Sequence, residues 1–136
     1  MVAGARYEGE AHLLDETAFQ AFAHLTGDAH PIHYDREYAR NSRFGERVAH
    51  GLLVSAMSAL GATALSRQLH ASMIALVEQG FRFRKPVLIG ESVRPVFTVA
   101  SVDRARGRVR FDVRMLDGKG EVVANGFHEY VLKSRG

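Results

Sequence analysis

The sequence contains no cysteine. That absence excludes a disulfide framework, a thiolate zinc site and a cysteine nucleophile together. It also fits a reducing compartment. No internal repeat, low-complexity tract or linker divides the chain, and its 136 residues suit a single domain over 1–136. The N-terminal stretch Met1 to Glu8 has no apolar core long enough for a signal peptide, so a cytoplasmic location is the expectation. Val48 to Ser66 lacks Asp, Glu, Lys and Arg, and its length invites a membrane-spanning reading. His50, Ser55, Ser58, Thr63 and Ser66, with frequent Ala and Gly, keep its hydropathy modest. A helix buried inside the domain is the better account, with no membrane partner. No Gly-x-Ser-x-Gly frame surrounds Ser55 or Ser58, which removes the usual setting of a serine nucleophile. No aromatic-interleaved basic stripe or helix-turn-helix supports nucleic-acid binding.

What is present divides into a helical, histidine-bearing first half and a strand-rich second half. Asp15 or Thr17 can cap a helix running to about Leu25, with Phe19, Phe22 and Ala23 on one face and Gly27 placed to end it. A loop from Asp28 to Tyr34 follows, with Pro31 barring helix there. Asp35 looks like the cap of a short helix, Arg36 to Asn41. From about Gly51 to Leu69, Leu52, Leu53, Met57, Leu60 and Leu65 are separated by small residues. This predicts one long central helix, buried on every face.

The period then changes to two. Phe81 and Phe83 alternate with Arg82 and Arg84, with Gly80 as a bend or bulge. Val93, Pro95, Phe97 and Val99 form a second strand, and Val109, Phe111, Val113 and Met115 a third. Val123, Phe127 and Val131 form a last strand, interrupted by Gly126. Asp117 to Gly120 is a hairpin turn, and Asp103 to Gly107 another. A short strand is possible near Tyr7 to His12. The fold class is α+β: one antiparallel sheet wrapped around a long central helix, apolar inside and arginine-bearing outside.

Asp28 and His33 stand five residues apart in a loop that Pro31 stiffens. A carboxylate and an imidazole at that spacing can converge on one water or one substrate proton and act as acid and base. The same residues also suit a polar turn. Their flanks decide between the two.

Phe22-Ala23-His24-Leu25-Thr26-Gly27-Asp28-Ala29-His30-Pro31-Ile32-His33-Tyr34-Asp35 resembles the hydratase signature of the MaoC-like, (R)-specific enoyl-CoA hydratase family. In that family an aromatic residue, Leu-Ser/Thr-Gly-Asp, Asn-Pro, an aliphatic residue and a His follow in order. Phe44-Gly45-Glu46-Arg47-Val48-Ala49-His50-Gly51-Leu52-Leu53 is similar to the family's approach to its central helix. The resemblance covers about Phe19 to Gly61 by motif and the rest by element order.

The resemblance implies a hot-dog fold, a homodimer, no cofactor and reversible hydration of a trans-2-enoyl thioester, CoA-linked or on an acyl carrier. It implies Asp28 and His33 as the catalytic pair and the Gly51 amide as hydrogen-bond donor to the thioester carbonyl. The Gly51 role also has a physical basis, since the first amides of a helix lack intrahelical partners and favour negative charge. His30, Pro31 and His50 are candidates for the substrate-binding surroundings. His30 departs from the family, which usually has Asn there, and an imidazole replaces only part of an amide's hydrogen-bonding set. Asp28, His30, His33 and Asp35 are residue types that bind metals, but the resemblance accounts for them without one. His12, His24, His70 and His128 are read as helix-face, strand or surface residues.

The net charge of +3 includes arginines at 82, 84, 94, 104, 106, 108, 110 and 114, with Lys85 nearby. One or two could meet coenzyme A phosphates, and the others suit a solvated sheet face protected by charge. An acyl-CoA thioesterase and a non-catalytic acyl-CoA-binding or regulatory module remain alternatives, because fold does not set function.

Overall fold

The computed structural model describes residues 1–60, 65–69 and 72–133. Two short strands open it, β1 (Arg6–Glu8) and β2 (His12–Leu13). Helix α1 (Glu16–Thr26) follows. Asp15 is its cap: the carboxylate accepts the Ala18 N–H at 3.0 Å, a bond that typically stabilises a helix by about 1 kcal/mol. Gly27 ends it in the left-handed region, φ 77°, with its N–H on the Ala23 carbonyl. Phe19 is fully buried and Phe22 packs beside it against the core.

Pro31 does not bar a helix. It begins one, α2 (Pro31–Tyr34), by standing at the first position, where its missing N–H costs nothing. Asp35 then caps α3 (Arg36–Arg40), accepting the Tyr38 N–H at 3.0 Å.

The expected long helix is also corrected. Helix α4 covers only Gly51–Ala56, and α5 covers Leu65–Leu69; the part of the expected helix at 61–64 lies outside the described residues, as does His70. Beyond Ala56 the amides of Met57, Ser58 and Ala59 reach back three residues rather than four, the tighter winding of a 3₁₀ turn. The Ser55 and Ser58 hydroxyls donate to carbonyls three residues back, Leu52 and Ser55, a local competition with helix continuation. Nor is α4 buried all round: Leu53 and Val54 enter the core, while Leu52 is 71% exposed.

Four long strands complete the chain: β3 (Met73–Phe83), β4 (Ser92–Asp103), β5 (Arg108–Asp117) and β6 (Val122–Leu132). All pairs are antiparallel, in the order β1-β4-β5-β6-β3, with β2 also on β4. Phe97 pairs with Val113 and Val99 with Phe111, all buried against Leu53, Val54 and Phe19. The alternate rows carry Arg114, Asn125 and Arg82 in register on the opposite face, where Arg82 and Arg114 are exposed.

Strand β6 runs unbroken through Gly126. Glycine is needed there because an added Cβ would collide with the Gly80 carbonyl oxygen across the pair. The irregularities of β3 fall between Met73 and Ala75 and between Leu76 and Glu78, not at Gly80.

Candidate active site

Helix α1 ends and α2 begins on either side of Asp28, so the carboxylate sits at the rim of the domain, about half exposed. Its Oδ1 accepts the His30 N–H at 3.1 Å. That bond, with help from the nearby imidazoles of His50 and His33, holds the Asp28 carboxyl below its ordinary value. Asp28 is therefore a carboxylate at neutral pH.

His33 lies on α2, half-buried. Its Nδ1 is 2.6 Å from the Val48 carbonyl oxygen. A carbonyl only accepts, so Nδ1 carries a proton, and in the neutral ring the lone pair is on Nε2. Val48 is itself fixed to the segment joining β3 and β4, through an isolated bridge to Leu88 and the flanking bonds Ala49 N–H to Val87 O and Ile89 N–H to Arg47 O. The tautomer of His33 is thus set by backbone anchored at both ends. Arg47 reaches back from the same segment to Glu16 at 2.6 Å and ties it to the start of α1.

His50 completes the cluster. It occupies the cap position of α4 but makes no side-chain capping bond. Its ring instead stacks on His33, with centroids 3.5 Å apart and planes 25° from parallel. Phe22 covers its other surroundings at 4.4 Å. His50 Nε2 lies 3.4 Å from Asp28 Oδ2. Burial, and then the facing His33, push the His50 imidazole below its ordinary value against the smaller pull of Asp28, so it is a neutral ring. Tyr34 faces it at 5.7 Å and donates its hydroxyl to the Phe19 carbonyl.

Asp28, His33 and His50 each bring one potential ligand atom within 4.8 Å of the others. The geometry is nevertheless wrong for a metal held by both rings. An ion bound to an imidazole lies in its plane, about 2.0–2.1 Å from nitrogen. Planes stacked at 3.5 Å and tilted by 25° do not meet within that reach. Asp28 and one imidazole leave two protein ligands, short of the three of a catalytic zinc site.

Gly51 follows His50 directly. As the first residue of α4 its amide has no intrahelical acceptor. The Phe83 ring lies against it: a Cβ added to Gly51 would stand 2.8 to 3.1 Å from three ring carbons.

Of the residues singled out in the sequence, Asp28, His33 and His50 converge and Gly51 adjoins them. His30 and Pro31 instead form the start of α2: His30 Nδ1 accepts the Ile32 N–H at 3.2 Å and Pro31 is the first helical residue. The Val48 carbonyl and Phe83 carry no sequence signal of their role, because both act across long chain separations.

The sequence pattern described as MaoC like domain matches residues 3–117. The chain belongs to the MaoC-like domain family. A 3-hydroxybutyryl-CoA dehydratase of Methylorubrum extorquens is 34% identical over 105 residues, spanning 77% of this chain and 64% of that protein. This chain therefore covers less than two thirds of that relative's length. An (R)-specific enoyl-CoA hydratase of Rhodospirillum rubrum is 29% identical over 126 residues, 93% of this chain and 85% of the other. The unliganded R-hydratase PhaJ1 of Pseudomonas aeruginosa superposes with a TM-score of 0.82 at 29% identity, covering 99% of this MaoC-like chain and 84% of its own. The fold is the hot-dog fold of this family, and the family is one of hydratases and dehydratases. Among the described residues, no helix is long and apolar enough to cross a membrane.

Proposed function

We propose that this MaoC-like protein is a hydro-lyase that adds water reversibly to a trans-2-enoyl thioester, CoA-linked, giving the 3-hydroxyacyl thioester. One observation carries the reading. An ionised carboxylate, Asp28, faces an imidazole whose lone pair is fixed on Nε2 by a main-chain carbonyl, beside a helix-start amide free to accept negative charge.

The roles follow from the protonation states. Asp28 and His33 hold one water between them, and His33 Nε2 takes its proton as oxygen bonds to C3 of the substrate. The C2–C3 π electrons move toward the thioester oxygen as an enolate. The Gly51 amide stabilises that charge, a donor whose loss typically raises a barrier by roughly 2.7–4 kcal/mol. The proton then passes to C2, and no atom is left over. Dehydration is the same path in reverse. Neutral, buried His50 backs the His33 ring, and charge on His33 further disfavours protonation of His50. No external cofactor is consumed, since water is the second substrate.

Two features support a homodimer. Strand β3 offers an 11-residue edge to which, among the described residues, only β6 is paired, and Leu52, Leu76, Val77 and Phe83 are exposed on or near it. A second copy would cover that surface and close the half-open side of the site. The dehydratase and hydratase names of the relatives agree with the reaction class.

The test is loss of the conjugated-thioester absorbance of crotonyl-CoA. The expected result is turnover by the native protein and a fall of at least about a hundredfold in kcat for Asp28→Asn, because the acid-base step needs the water that Asp28 and His33 hold together. Unchanged turnover in that variant would remove Asp28 from the mechanism. Release of free thiol without loss of conjugation would replace hydration by thioester hydrolysis.

A further inference from the structure

His30 touches both members of the pair. Its N–H donates to Asp28 Oδ1, and its carbonyl accepts the His33 N–H at 3.0 Å. Any residue but proline at this position could make those two main-chain bonds. The third bond belongs to the side chain: ring Nδ1 accepts the Ile32 N–H at 3.2 Å.

That third bond matters because α2 is four residues long. A single turn does not hold itself, since one hydrogen bond does not offset the ordering of its residues. Pro31 has no N–H, so Ile32 supplies the first free donor of the turn, and the His30 ring is its acceptor. Nδ1 can accept only while the ring proton sits on Nε2. A second proton turns Nδ1 into a donor facing a donor, and the cap is lost.

We propose that His30 is a proton-dependent positioning residue: its neutral ring holds the first turn of α2, and so keeps His33 against Asp28, while protonation releases that turn. The kinetic consequence rests on the hydratase reading; the capping bond does not. The titratable groups facing the ring are His33 on α2 at 6.2 Å and Tyr38 on α3 at 6.0 Å between ring centroids, and Asp28 on the preceding loop accepts the His30 main-chain N–H. Imidazole is the side chain type that ordinarily changes charge between pH 5 and 8, which sets the range to be scanned. Asparagine would supply a carbonyl acceptor that does not titrate and is a strong helix cap.

The experiment compares the native chain with His30→Asn and His30→Ala. The first readout is the Ile32 amide chemical shift by NMR from pH 5 to 8, which needs no turnover. A step should appear in the native chain, vanish in His30→Asn at the capped position, and vanish in His30→Ala at the uncapped one. The second readout is crotonyl-CoA hydration. His30→Ala should lower kcat about fivefold at pH 8, the effect of one lost cap, with KM within twofold. The fall in kcat from pH 8 to 5.5 should be several-fold smaller in His30→Asn than in the native chain. An Ile32 amide that ignores pH in the native chain, or an acid-side fall retained in full by His30→Asn, overturns the proposal. Absence of turnover with an Ile32 step that depends on His30 would sink the hydratase reading and leave the cap standing.

Discussion

The Phe83 ring lies where a side chain on Gly51 would go. Gly51→Ala must therefore displace an aromatic ring, an overpacking that costs about 1–3 kcal/mol. Its urea midpoint should fall accordingly, and adding Phe83→Ala should recover part of that loss by opening the space. A double-mutant cycle with strictly additive effects would show that the two residues do not meet in solution. Single residues differ in how far sequence discloses them. Asp28 and His33 could be found because their spacing and flanks are local. The burial of His50 could not, since Phe22, His33 and Tyr34 are brought to it from two other helices. His128 also reads as an ordinary strand residue in the sequence. In the fold it is buried between the Ser58 hydroxyl and the Tyr130 hydroxyl, each 3.0 Å away.

At the level of elements, His128 joins β6 to the tight turn after α4. Tyr130 O–H donates to Nδ1, Nε2–H donates to Ser58, and Ser58 donates to the Ser55 carbonyl. The neutral ring satisfies the whole chain of bonds. Burial lowers the folded-state value of His128 and pushes the Tyr130 hydroxyl up to about 12. A histidine depressed on folding takes up protons first when unfolded. Its contribution is complete above the unfolded value of about 6.5 and is lost as pH falls through and below it. The slope is at most about 1.4 kcal/mol per pH unit while the folded ring stays neutral. Denaturant titrations at pH 7.5 and 5.5 should show a larger drop for the native protein than for His128→Gln, and equal drops would refute the assignment. Elements with one clear signal were legible: Asp15 and Gly27 bound α1, and the alternating apolar residues gave four strands. The sequence overstates the central helix because composition favours helix through Ser58, whereas α4 ends at Ala56. The hydroxyl bonds that tighten the chain there, and the sheet histidine that meets them, have no local signature. Pro31 misleads for a related reason, since the same missing N–H both breaks a helix interior and suits a helix start.

For the whole molecule, the proposed dimer has a direct measurement. Light scattering on an eluting peak should give twice the 15.0 kDa chain mass. Leu76→Lys with Val77→Lys should shift the mass toward one chain and lower crotonyl-CoA turnover, because both residues are exposed on the β3 edge strand. A native monomer with full activity would remove the partner from the site. The overall architecture was readable from element order, because a switch from helical to two-residue periodicity leaves few packings for a chain of this size. The proposed pairing of two copies was not, since edge pairing would use backbone groups that nearly every residue possesses. The unequal ends of the sheet carry one more consequence. Among the described residues the far end holds β1 and β2, three and two residues long, against eleven in β3. Two chains joined through β3 as proposed would have no second long edge among the described residues to offer, so growth would stop at a closed pair. The same layout would then guard against open-ended fibre formation.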